Sequence, residues 1–236
     1  RLLDHSLGLG GLEANGMVDG VHVRLMVTRG IKSTPYQDPR MTISPATIVI
    51  IPEYKNPKPE VLARGVTLFT VHQRRTSPDT QDQKLNSHSK LNCILACIQA
   101  TKAGADEALM LDADGAVATC NSTHFFIVRD GELWTSDGLY CLGGITRGNI
   151  LRIARADGLT VRENRFSLFD VYAADEAFVT GTFAGLVPVH TVDGRTIGTP
   201  PGDGVRGGPA TRRLTALYKA DAAESAARSR RPRERP

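Results

Sequence analysis

Between Glu107 and Ser136 the chain runs through four short apolar segments, EALMLD, AVATC, HFFIVRD and ELWTS, with turns at ADG and DG. Runs this short, broken by Asp-Gly pairs, read as antiparallel strands joined by hairpins rather than as helices. A sheet of that kind has to be covered, and the flanking segments change period accordingly. SHSKLNCILACIQATKAG (87–104) carries apolar residues at 91, 94, 95 and 98, the spacing of one helix face, with Gly104 as its stop. TRGNILRIARADG reads as a second helix, and LTVRENRF and EAFVTGT read as strands. LVPVHTVDGRTI reads as a hairpin and GPATRRLTALYKA as a closing helix. Three further β-rich runs come earlier, at 20–30, 46–54 and 65–74, separated by the Pro-rich loops STPYQDPR and KNPKPE. The pattern predicts an α/β (α+β) chain of two domains. Residues 1–78 are read as the remainder of a small N-terminal α/β domain, incomplete because its first strands precede the sequence. Residues 79–83 are read as a linker, 84–220 as a large domain, and 221–236 as a disordered basic tail.

Size and charge bound the rest. With 236 residues the chain can bury one large domain and part of another. Much of the net charge of +4 sits in the tail SRRPRERP (229–236), and from Asp221 onward no large apolar residue occurs. No aromatic residues are interleaved there to stack bases, which argues against a nucleic-acid partner. No apolar run approaches the roughly 18 residues of a membrane span. The start, RLLDHSLGLG, has neither a Met nor the regions of a signal peptide, and it reads as the middle of a helix. The four cysteines lack metal-ligand spacing and are expected to be free thiols of a cytoplasmic protein with no metal.

Two motifs carry chemistry. Gly143-Gly144 lets backbone approach a ligand, and Ile145-Thr146 then opens a helix whose unpaired N–H groups and positive dipole end can take an anion. Thr180-Gly181-Thr182 ends an apolar strand with two hydroxyls around a flexible residue, a pattern that suits either a plain turn or half of a phosphate cup.

Four stretches in order, 104–136, 142–167, 170–198 and 208–218, resemble the class IV aminotransferases, the pyridoxal-phosphate family of branched-chain and D-amino-acid aminotransferases. With VHVRLMVTRG the resemblance covers nearly all of residues 1–219. It implies the two-domain D-amino-acid aminotransferase-like fold, pyridoxal 5'-phosphate at the domain interface, and a homodimer. It also implies that Gly144, Ile145, Thr146, Gly181 and Thr182 bind the cofactor phosphate, with Phe183 and Ala184 lining the substrate pocket. The family's phosphate-clamping arginine falls before Arg1.

Two positions depart from the family. Its lysine, which forms an imine with the cofactor aldehyde, falls on Asn86 when counted back without gaps from LNCILACIQATKAGADEAL, and an asparagine cannot form that bond. Lys90, one helical turn later on the same side and expected to be partly desolvated beside Ile94 and Cys97, is one substitute. Lys84, two residues earlier on a strand, is another; the third reading is no imine at all. The family's glutamate, which pairs with the protonated ring nitrogen, is Thr119 here. A hydroxyl there is expected to bond a neutral nitrogen, leaving a weaker electron sink suited to elimination or slow transamination. The loop Ile31 to Pro39 carries Thr34 and Tyr36 where D-amino-acid members hold the substrate carboxylate with Arg and His. Arg24, which loosely matches a pocket arginine of some branched-chain members and otherwise reads as a solvated strand arginine, is the candidate substrate-binding cation, with Arg29 and Lys32 nearby. The resemblance thus implies a transaminase moving an amino group between a small or branched amino acid, or amine, and a 2-oxo acid. The alternatives are a lyase of the aminodeoxychorismate lyase type and a catalytically silent binding protein.

Overall fold

The computed structural model describes residues 5–199 and 206–229. The chain divides after Pro57 into two compact units. The first holds α1 (His5–Ala14), β1 (Val21–Val27) and β2 (Ile48–Tyr54), with a single 3-10 turn at Pro39–Met41. β1 and β2 pair antiparallel from Val21↔Tyr54 to Val27↔Ile48.

The second unit is built around one sheet. It contains α2 (Pro59–Arg64), β3 (Val66–Thr70), α3 (Pro78–Gln81), α4 (Leu91–Lys102), β4 (Glu107–Leu111), β5 (Val117–Cys120), β6 (His124–Arg129) and β7 (Glu132–Thr135). It continues with α5 (Ile145–Ala156), β8 (Val161–Glu163), α6 (Leu168–Tyr172), β9 (Glu176–Gly181), β10 (Gly185–Val192), β11 (Arg195–Thr196) and α7 (Pro209–Ser229). The strand order is β5-β4-β3-β10-β9-β6-β7-β8, with β11 on β10. The expected hairpins β4–β5, β6–β7 and β10–β11 all form. β3 runs parallel to both β4 and β10, so the β3-to-β4 connection is a crossover, and α4 lies in it.

Strand side chains alternate between faces, and here both faces are covered, which is why FFIV (125–128) and AFV (177–179) are continuously apolar. Phe125, Ile127, Ala177 and Val179 enter one core cluster with Leu68, Leu109 and Val187. The residues between them, Phe126, Val128 and Phe178, enter another with Ile150 and Leu151 of α5 and Leu214 of α7. Phe126 and Phe178 lie opposite one another across β6 and β9, stacked with centroids 5.0 Å apart. Each such buried ring stabilises the fold by about 2 kcal/mol. α4 turns Ala96 and Ala100 onto Ala108 and Met110 of β4.

Three expectations differ from what forms. The division falls after Pro57, not at 79–83, because β3 joins the large sheet and takes residues 58–78 with it. α4 begins at Leu91 rather than Ser87. The residues before it close local turns instead, with Ser87 N on Leu85 O, Lys90 N on His88 O and Ser89 N on the Ser87 hydroxyl. The segment from Asp221 to Ser229 is helical, an extension of α7 and not a disordered tail. Its alanine-rich sequence has strong helix propensity, and Arg152 of α5 binds Asp221 at 2.7 Å. Residues 230–236 lie outside the described residues. Among the described residues, no helix is long and apolar enough to cross a membrane.

Candidate active site

The crossover from β3 to α4 carries the site. After Thr70 the chain stays bound to the edge of β4, with Val71 N on Leu109 O at 3.1 Å and Arg75 N on Leu111 O at 2.9 Å. Asn92 of α4 holds Arg74 O at 2.8 Å. This anchored segment, the first turns of α4, and β5 with its following turn enclose a cavity of about 460 Å³. Its wall includes Arg75, Asn86, Lys90, Cys93, Thr119 and His124, and among the described residues it contains no aspartate or glutamate.

Lys90 is the residue just before α4, and its Nζ donates to Asn86 Oδ1 at 3.1 Å. The position onto which the sequence count places the family's lysine and the expected substitute for it are therefore in direct contact. Two expectations about the lysines fail. Lys90 is exposed, because the stripe of Leu91, Ile94, Leu95 and Ile98 beside it is itself exposed. Lys84 is in a turn closed by its own N–H on Asp82 Oδ1 at 2.9 Å, not on a strand, and it is not part of the cavity wall.

Thr119 is buried on β5 and lines the cavity. Its hydroxyl donates to Thr123 O at 2.9 Å, so toward the cavity it has lone pairs to offer and no free proton. That changes the sequence expectation, since donation to a neutral nitrogen would break this bond. The turn it leans on is itself tied down. Glu107, almost fully buried, accepts from the backbone N–H and hydroxyl of both Ser122 and Thr123 at 2.8 to 2.9 Å. Burial pushes the Glu107 carboxyl up, against the lowering effect of those donors.

His124 joins the remaining pieces. It opens β6 opposite Thr180 of β9, and its Nε2 meets Leu142 O at 2.7 Å, which makes Nε2 the protonated nitrogen. Burial is the main reason its pKa is lowered; Arg147 and Arg75 lower it further, and the Leu142 carbonyl opposes them. Its ring packs against Gly144, where an added Cβ would lie 2.3 Å from Cε1. Gly144 in turn caps α5 without supplying any side-chain acceptor. The first turn of α5 therefore presents unpaired donors. Thr146 Oγ1 there is buried with no partner, and so is Thr180 Oγ1 on the neighbouring strand. Gly181 sits close to the Thr123 side chain. Two orphaned hydroxyls and an uncapped helix start are what an anionic group would satisfy.

Not every expected residue gathers there. Thr182, Phe183 and Ala184 form the turn after β9 and line a second cavity of about 650 Å³ with Leu62, Pro188 and Tyr218. Ile145 points outward, 74% exposed. Arg24 lies exposed on β1 opposite Ile51, in the first unit. Sequence reasoning passed over Arg75 and His124. The available signals were weak: an arginine pair after a strand, and a histidine where an apolar strand begins. The four cysteines are free, and among the described residues no group of His, Cys, Asp and Glu is arranged to hold a metal.

Known proteins resemble this chain in sequence and fold. The family described as amino-transferase class IV matches residues 10–192. Branched-chain-amino-acid aminotransferase-like protein 2 of Arabidopsis thaliana is 39% identical over 208 residues, 88% of this chain and 36% of that protein. The branched-chain-amino-acid aminotransferase of Pseudomonas aeruginosa is 39% identical over 160 residues, 67% of this chain and 50% of that one. The chain thus spans between a third and a half of the length of these relatives. Among solved structures, the T.th. branched-chain amino acid aminotransferase with pyridoxamine 5'-phosphate superposes with a TM-score of 0.78 and 32% identity, over 88% of this chain and 66% of that one. The same enzyme has also been solved with N-(5'-phosphopyridoxyl)-L-glutamate and with 4-methylvaleric acid.

Proposed function

Because the chain belongs to the class IV aminotransferases, we propose that it is a pyridoxal-phosphate transaminase acting between a small or branched amino acid and a 2-oxo acid, with Lys90 as its working amine. The contact between Lys90 Nζ and Asn86 Oδ1 carries the reading, since it sets an amine beside the position where the family keeps its lysine. The residues fit the cofactor at its phosphate end, where the uncapped start of α5 and the partnerless Thr146 hydroxyl await an anion. Gly144 and Gly181 belong to that end by the family pattern, whereas Thr182 lines the second cavity and the Ile145 side chain points outward, leaving only its backbone N–H for the anion. Bound there, pyridoxal phosphate supplies an aldehyde and an electron-withdrawing ring.

The chain's own groups do the rest. Lys90 Nζ would hold the cofactor covalently and would move the proton at the substrate α-carbon. Asn86 orients that amine as a neutral acceptor. Thr119 lines the cavity with its proton committed to Thr123 O, so it would offer lone pairs to a bound cofactor. The relatives' printed names support a branched-chain substrate. Four free thiols support a cytoplasmic setting, and the exposed stripe on α4 supports a homodimer.

The test is borohydride reduction of the pyridoxal-phosphate-loaded protein, followed by peptide mass mapping. Label is expected on Lys90 well above Lys84, and Asn86→Ala is expected to lower that ratio about tenfold with an unchanged melting temperature. Label on neither lysine would sink the assignment and leave the silent binding protein. A lyase reading has one observation in its favour, the loss of an acidic partner at Thr119. Release of pyruvate from an amino acid with no 2-oxo acid present would select it.

A further inference from the structure

Arg75 is a buried cation with no counter-charge among the described residues. It is 6% exposed. Its Nε donates to Tyr140 O at 3.1 Å and its Nη1 to Cys93 Sγ at 2.9 Å. Both acceptors are neutral, a backbone carbonyl and a weakly accepting thiol, so neither compensates the charge, and Nη2 has no acceptor among the described residues. Arginine is almost never buried unless paired, and an uncompensated buried charge costs several kcal/mol. An anion seated beside Arg75 would offset that cost. Among the described residues the same wall carries Lys90 and no carboxylate, and the Glu107 carboxylate behind its Ser122–Thr123 turn already accepts four bonds there. At about 460 Å³ the cavity is within the size range of small-molecule sites.

We propose that Arg75 is an anion-binding residue of this cavity, its free guanidinium edge taking a planar anionic oxygen pair or a phosphate oxygen of the occupant. Apart from Arg75, Lys90 and His124, the polar groups of the wall are amides, hydroxyls and thiols, so the recognition is by charge. Two groups of the proposed reaction share this chemistry: the carboxylate of the amino or oxo acid, and the anionic oxygens of pyridoxal phosphate. The inference deepens the transaminase reading, and the choice of probes rests on it.

The test is calorimetric titration of the full chain with 4-methylvalerate, its neutral amide, pyridoxal phosphate and unphosphorylated pyridoxal. Wild type, Arg75→Met, Arg75→Lys and Lys90→Met are compared. At least one anion is expected to bind wild type tenfold or more tightly than it binds Arg75→Met, with the neutral amide unaffected and Lys90→Met retaining the preference. Loss for 4-methylvalerate alone assigns Arg75 to the substrate carboxylate. Loss for pyridoxal phosphate but not pyridoxal assigns it to the phosphate, and loss for both assigns it to the ring oxygen. If Arg75→Met fails to fold, Arg75→Lys, which keeps the charge but not the planar fork, is expected to weaken the preferred anion at least threefold. Anion affinities within twofold of wild type in the folded variants overturn the proposal. Should wild type refuse pyridoxal phosphate, the cofactor reading falls, while the comparison of acid with amide still decides Arg75.

Discussion

Gly144 shows how one missing atom can hold a site together. Its backbone angles, φ −69° and ψ 137°, suit any residue, so conformational freedom is not why glycine stands there. Space is the reason, because an alanine methyl would lie 2.3 Å from His124 Cε1 and 2.9 Å from Nδ1. The ring cannot swing away without giving up its bond to Leu142 O. Gly144→Ala is expected to destabilise the protein by about 1–3 kcal/mol, as overpacking does, measured by urea denaturation. Combining it with His124→Ala should be strongly non-additive, because the second change removes the obstacle. Additive effects would show that the two residues do not meet. His124 itself is invisible as a site residue in the sequence: it is one histidine of six, distinguished only by which strand it opens and what the fold lays beside it.

At the scale of elements, α4 is legible in its period and unexpected in its exposure. The apolar residues at 91, 94, 95 and 98 were readable as one face. The face packed on β4, however, is the alanine side, Ala96 and Ala100, and the leucine and isoleucine stripe faces out. Small residues let a helix lie close on a strand, while large ones left exposed mark a surface awaiting a partner. Under the proposed homodimer, Ile94→Glu with Ile98→Glu is expected to shift sedimentation from dimer to monomer without unfolding the subunit. A wild-type chain that sediments as a monomer at micromolar concentration would rule out that role for the stripe. The turn between β5 and β6 makes the opposite point. Its Ser122 and Thr123 look like ordinary loop residues, yet Glu107 fixes both, and through Thr123 O it fixes the Thr119 hydroxyl. Nothing local relates position 107 to position 119; the β4–β5 register does.

For the whole molecule, stability on the acid side should fall in two steps. His124 and His190 are both held below the ordinary histidine value of 6.5, chiefly by burial. The unfolded chain therefore binds more protons than the folded one below pH 6.5, and stability decreases as pH drops from there. Asp106, Glu163 and Asp170 form a second group. Burial pushes each upward, but their hydrogen bonds and arginine partners, Arg64, Arg155 with Arg147, and Arg129, outweigh it and leave each lowered. Their contribution is present above about pH 4 to 5 and is lost as pH falls through the lowered folded values. Thermal melts across roughly pH 3 to 8 check this, with His124→Asn expected to shrink the upper step and leave the lower one unchanged. An upper step of the same size in that variant would show that His124 is not its source.

Reading residues in order was enough to establish the family, the hairpins, the helix beginning at Ile145 and the lack of a lysine at position 86, because turn chemistry, side-chain period and motif order are local properties. Folding in three dimensions settled where the first unit ends, which face of α4 is buried, and that Asn86 touches Lys90 while Arg75 is left without an acid. Those outcomes depend on residues far apart in the chain meeting across a sheet, and a parallel crossover sets such meetings through strand register, which no local pattern encodes.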